Sequence, residues 1–117
     1  MKFLRMLAAA AAFFMLYVPA FAHTTIVASN IMDGSEIRTA PDVFEFSFGA
    51  DVGLAGLELE TLSGEAVDID FQRPGQMRKD FTVPLPMLEP EAYVLKWRAV
   101  AKDGHVMRGE IDFTVTG

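Results

Sequence analysis

Val43-Phe44-Glu45-Phe46-Ser47-Phe48 is the stretch that decides the fold. Three phenylalanines fall on every second residue, with Val43, Glu45 and Ser47 between them. Period two turns all three rings to one side of an extended backbone, whereas a helix would spread them around its axis. The stretch therefore reads as a half-buried strand, and the same pattern recurs outward from it. Leu57 and Leu59 alternate with Glu58 and Glu60, and Val67, Ile69 and Phe71 with Asp68 and Asp70. Tyr93, Leu95, Trp97 and Ala99 share one face, with Lys96 and Arg98 on the other. Ile111, Phe113 and Val115 alternate with Asp112 and Thr114. Strands are read at 24–28, 43–48, 54–62, 66–71, 79–83, 92–100 and 107–115.

The punctuation between these runs agrees. Asp33-Gly34, Ser63-Gly64 and Pro74-Gly75 mark turns, and Ser63-Gly64-Glu65 joins two strands as a hairpin. Pro84, Pro86 and Pro90 confine their stretch to an edge or a loop, because proline has no N–H to give a ladder. No segment sustains a helical period and no repeat is present. About seven short strands in a small domain is the pattern of an antiparallel, immunoglobulin-like β-sandwich. The chain has no cysteine, so it is all-β without a disulfide. The single tryptophan, Trp97, is read as core packing between sheets rather than as a binding platform.

The N-terminus reads as an export signal. Lys2 and Arg5 precede an unbroken apolar run over 6–18, Pro19 ends that run, and Ala20-Phe21-Ala22 offers the small-x-small site that signal peptidase accepts. The run is shorter than the ~20 residues that span a bilayer. Residues 1–22 are thus expected to be removed, leaving one domain at 23–117 in the periplasm, not embedded in the membrane. Lys2 and Arg5 leave with the leader, so eight basic side chains face sixteen acidic ones, a net of −8. Such a surface repels nucleic acid and anionic lipid, and nucleic-acid binding is not expected.

Cleavage after Ala22 would make His23 the first residue. A leading histidine offers its α-amine and its ring Nδ1, which close a six-membered ring on a single cation. The only other histidine, His105, stands in Asp103-Gly104-His105 and adds a nitrogen, with an oxygen from Asp103. Glycine between these two permits either an extended backbone that points both side chains the same way or a tight turn. Nitrogen donors with one carboxylate suit tetragonal Cu(II), which outbinds other divalent first-row ions at such sites. Zinc accepts the same donors but prefers a tetrahedron, and calcium and magnesium want more oxygens. Each donor also has a plain reading: His23 as an accident of the cleavage site, Asp103-Gly104 as a turn pair, His105 as a hydrogen-bonding residue. A metal-free interaction module and a histidine-brace copper oxidase stand as alternatives. The oxidase would need an open coordination position and a broad substrate face, for which the domain is small. Two histidines and no cysteine leave no triad or Cys/His pair, and no enzymatic activity is expected.

The mature chain resembles the CopC family of periplasmic copper-resistance proteins. The resemblance runs through His23, Pro41 ahead of the Phe-rich strand and Gly64 in a hairpin. It continues in Ala92-Tyr93-Val94-Leu95-Lys96-Trp97-Arg98, Lys102-Asp103-Gly104-His105 and Gly109-Glu110-Ile111-Asp112-Phe113-Thr114-Val115. It implies a Greek-key β-sandwich holding one Cu(II) ion through the amine and ring of His23 with Asp103 and His105. It also implies a role in copper resistance and homeostasis, as a monomer that sequesters copper or passes it to an inner-membrane transporter. Two departures stand out. Ser29-Asn30-Ile31 lacks the proline of a Ser-x-Pro signature, and Gly49-Ala50-Asp51 replaces a Ser-Glu pair, leaving only Asp51 to supply the carboxylate near the copper. Met32, Met77, Met87 and Met107 are scattered, so a Cu(I) site of clustered thioethers is not expected.

Overall fold

The computed structural model describes residues 25–117. The expected leader at 1–22, His23 and Thr24 lie outside the described residues. Seven strands form: β1 (Ile26–Ser29), β2 (Ser35–Ile37), β3 (Val43–Thr61), β4 (Ala66–Val67), β5 (Arg78–Pro84), β6 (Glu91–Val100) and β7 (Val106–Val115).

One long strand organises the molecule. The first part of β3 pairs with β1 on one side and β5 on the other, while its second part pairs with β6 and β4. β6 pairs with β7, and β7 with β2. β3 thus belongs to two sheets and turns from one to the other, a corner of the kind that bulges and bends make in β-sandwiches. At that corner Gly49, Ala50 and Asp51 are exposed, and the register against β5 jumps between Ser47 and Val52. A second irregularity against β6 falls between Leu54 and Gly56 and leaves Ala55 as an extra residue. A one-residue bulge reverses the parity of the side chains beyond it. Phe44, Phe46, Phe48, Val52 and Leu54 face the core from even positions, and Leu57, Leu59 and Thr61 from odd ones.

The strand reading needs three corrections. The runs read at 43–48 and 54–62 are one strand. Of 66–71, only Ala66–Val67 enters a ladder, against Leu59 and Glu60; Val67, Ile69 and Phe71 still pack half-buried on the core without further pairing. β2 was not anticipated. It is three residues long and runs parallel to β7, all other pairings being antiparallel. Asp33 secures it: its Oδ1 accepts the Asp112 N–H at 2.8 Å, and the Gly34 N–H donates to the Asp112 carbonyl at 2.6 Å.

The core is aromatic. Phe46 stacks between Phe44 and Phe81, and Phe48 meets Phe46, Phe81 and Trp97 edge to face. Trp97 is buried between the sheets as read, and Tyr93 stacks on Phe113 while its hydroxyl donates to the Glu89 carbonyl at 2.7 Å. The indole requires a glycine opposite it. A β-carbon on Gly109 would lie 2.5, 2.6 and 2.7 Å from Cζ2, Cε2 and Nε1 of Trp97, closer than any side chain tolerates. Gly109→Ala is therefore expected to cost about 1–3 kcal/mol, the usual penalty for overpacking a filled core. Urea unfolding checks it; a wild-type midpoint would mean the ring can move aside.

Candidate metal centre

Asp103 and His105 lie in the turn between β6 and β7. The Gly104 N–H donates to the Ala101 carbonyl and the Ala101 N–H to the His105 carbonyl, both at 2.9 Å, with Gly104 at φ +92°. This is a three-residue hairpin loop closed by a left-handed residue, a conformation glycine adopts without the clash a β-carbon brings. Asp103 and His105 come together through this turn, and not through the extended backbone also considered from the sequence.

Both oxygens of the Asp103 carboxylate are engaged by His105. Oδ1 accepts the His105 backbone N–H at 3.1 Å, and Oδ2 lies 2.8 Å from the ring Nδ1. Aspartate favours this bond to a backbone two residues on. The His105 backbone N–H, followed by its ring, holds the Asp103 carboxyl below the ordinary carboxylate value. A group depressed in the folded state contributes stability above its unfolded value and loses it as pH falls through the folded one. The pair is open to water, so this contribution is small. His105→Ala is expected to move the Asp103 titration partway back up, as read by carboxyl ¹³C shifts against pH; an unmoved titration would remove the ring from the cause.

The sheet register sets this turn at the same end of the domain as the start of β1. Ile26 pairs with Phe48 in antiparallel sense, so the start of β1 lies toward the β3 corner at 49–53. Gly53 at that corner pairs with Val100, the last residue of β6 before the turn. One end of the sandwich thus collects the start of β1, the corner of β3 and the Asp103–His105 turn. Asp51 sits on that corner, exposed. Among the described residues, no group of three or more His, Cys, Asp or Glu side chains is placed to hold a metal ion. The first expected donor, His23, is outside them.

Four methionines fall among the described residues. Met107 is in the core; Met32, Met77 and Met87 are exposed, Met77 against Gly53 and Met87 in the proline-rich segment after β5. The plain reading of Asp103-Gly104 as a turn pair and His105 as a hydrogen-bonding residue holds, and the partner it left unnamed is the Asp103 carboxylate. Among the described residues, no helix is long and apolar enough to cross a membrane.

A two-sheet, disulfide-free β domain with a carboxylate–imidazole pair on the turn before its last strand defines the class. The chain belongs to the CopC domain family, whose pattern matches residues 26–116. It is similar to the copper transport protein CutJ of Bacillus subtilis (strain 168), with 32% identity over 111 residues, 87% of this chain and 20% of that protein. The chain therefore spans about a fifth of the length of that relative. It is 27% identical over 99 residues to protein YobA of Escherichia coli (strain K12), covering 81% of this chain and 80% of that one. Two crystal structures share the fold. CopC from Methylosinus trichosporium OB3b gives a TM-score of 0.61 at 24% identity, over 80% of this chain and 94% of that one. PcoC, a methionine rich copper resistance protein from Escherichia coli, gives 0.63 at 23%, over 81% and 100%.

Proposed function

We propose that the chain is an exported, non-enzymatic copper-binding protein of copper resistance and homeostasis. In this reading one Cu(II) ion is its cargo, chelated by His23, Asp103 and His105 after removal of residues 1–22. The observation that carries it is the Asp103–His105 pair, a carboxylate and an imidazole 2.8 Å apart on an exposed turn. Two donors with that separation, each about 2.0–2.1 Å from one ion, subtend roughly 85–90°. That bite suits the cis positions of a tetragonal Cu(II) site better than a tetrahedron. Family membership and the copper transport and resistance proteins it resembles support the same cargo.

His23 is three residues ahead of Ile26, a span of about 10 Å when extended. Since β1 enters from the end that carries the turn, this reach supports closing the site with the α-amine and ring of residue 23. The Asp103 carboxylate is already ionised at neutral pH, so metal binding requires protons to leave only the nitrogen donors. Copper displaces those protons, so affinity falls as pH drops through the titration of an α-amine and imidazoles, with ordinary values of about 7.7–8.0 and 6.5. Sequestration or transfer to an inner-membrane transporter would follow from this acid-sensitive grip.

The decisive experiment pairs mass spectrometry of the exported protein with Cu(II) EPR. Expected are a first residue at 23 and one tetragonal copper per chain with nitrogen hyperfine structure, weaker at pH 5 than at pH 7.5. A chain beginning elsewhere, or equal affinity at the two pH values, would reject the site. Oxidation of a polysaccharide by the copper-loaded protein would instead favour the brace oxidase.

A further inference from the structure

The outer face of the sheet formed by β3, β6 and β7 is organised in rows of directly opposed residues. Glu58, Lys96 and Glu110 make one row, so that a cation stands between two acids. Glu60, Val94 and Asp112 make the next, and Lys96 reaches across to Glu60 at 3.2 Å. The row nearer the Asp103–His105 turn breaks this alternation: Gly56, Arg98, Arg108. Two arginines, both exposed, thus hold directly opposed positions in the register of an acidic protein. Like charges in that position oppose sheet formation. Among the described residues, no carboxylate lies within ion-pair distance of either arginine.

Glycine makes room beside them. Arg98 lies over the Gly56 position, its Nη2 3.0 Å from where a β-carbon would stand, and leans weakly on the Ala55 carbonyl at the bulge. An open cleft of about 390 Å³ lies here, lined by Gly56 and Gly109, by Arg98, Arg108 and Lys96, and on either side of Lys96 by Glu58 and Glu110. We propose that this Arg98–Arg108 cleft is a docking site for a single carboxylate side chain presented by a partner protein. Guanidinium forks match carboxylates in bidentate geometry, and an acid laid across this row restores the alternation that the neighbouring rows already have. The flanking glutamates restrict the site to a small monoanion: a dianionic phosphate or a broad anionic membrane would meet Glu58, Glu110 and the acidic surface beyond them. The inference is independent of the copper reading.

The test is an NMR titration of the mature protein with a capped tetrapeptide carrying one glutamate among serines and glycine, run beside sodium phosphate and phosphatidylglycerol vesicles. Expected are saturable shifts of the Gly56 and Gly109 amides and the Nε–H signals of Arg98 and Arg108, weakening with salt. Arg98→Gln and Arg108→Gln should each lower peptide affinity at least about tenfold. Lys79→Gln, on the other sheet, should leave it unchanged. Arg108→Glu should lose the peptide yet raise the unfolding temperature, because an opposite charge then faces Arg98. That combination separates a binding site from a structural pair. Absent peptide shifts, full affinity in the Arg98→Gln/Arg108→Gln double variant, a lowered unfolding temperature in Arg108→Glu, or binding of phosphate or vesicles in place of the peptide would each overturn the proposal.

Discussion

Adding one residue ahead of His23 is expected to lower Cu(II) affinity at least about 100-fold, more than loss of a single supporting contact costs at a metal site. The extension leaves every side chain in place. It moves only the free amine, which then no longer shares a chelate ring with the imidazole of residue 23 and becomes a distant donor. His105→Phe should weaken binding similarly by a different route, removing the nitrogen at the turn and releasing the Asp103 carboxylate that the ring holds. Because Asp103 and His105 are both largely exposed, neither change should shift the unfolding midpoint of the metal-free protein. Competition against a chromophoric copper chelator measures the affinities. Native affinity in the extended protein would eliminate the amine as a ligand, and native affinity in both variants would eliminate the whole site.

Phe48→Ala is expected to cost about 3–5 kcal/mol, a large share of what holds a domain of this size together. Phe48 is 2% exposed and lies where the two sheets meet, with edge-to-face contacts to Phe46 at 5.9 Å, Phe81 at 5.8 Å and Trp97 at 5.2 Å. Truncation removes the ring from all three at once, and the cavity cannot close because the partners are strands in different ladders. Phe48 is also the residue against which Ile26 pairs, one step before the β3 corner. The loss should thus loosen the start of β1 as well as the core. Denaturant unfolding gives the first quantity and amide exchange at Ile26–Ser29 the second. A cost under about 1 kcal/mol would mean that the aromatic cluster repacks, which tightly filled cores do not do readily.

The two expectations draw on different depths of information. Alternation is a local property, and it was enough to name twelve of the twenty buried hydrophobic side chains among the described residues: Phe44, Phe46 and Phe48; Leu57 and Leu59; Tyr93, Leu95, Trp97 and Ala99; Ile111, Phe113 and Val115. Asp103-Gly104-His105 was legible for the same reason, since a glycine-closed turn brings its own neighbours together. What a period of two cannot convey is which strands meet and in what register. Residues 49–53 carry β3 unbroken between the two runs, and the bulge at Ala55 reverses its faces, a change visible only against β6. Ser35–Ile37 is too short to show a period, and its place beside β7 is set by Asp33 bonding to a residue far along the chain.

Residue order alone therefore established an all-β domain, its buried faces and the identity of the candidate donors, because each follows from neighbours a few positions apart. Folding in three dimensions settled that β1 enters at the end carrying Asp103 and His105, that Trp97 requires a glycine opposite it, and that Arg98 and Arg108 share one row of the sheet. Those are consequences of register, and register is fixed by long-range pairing and close packing, whose contacts join residues that no local pattern relates.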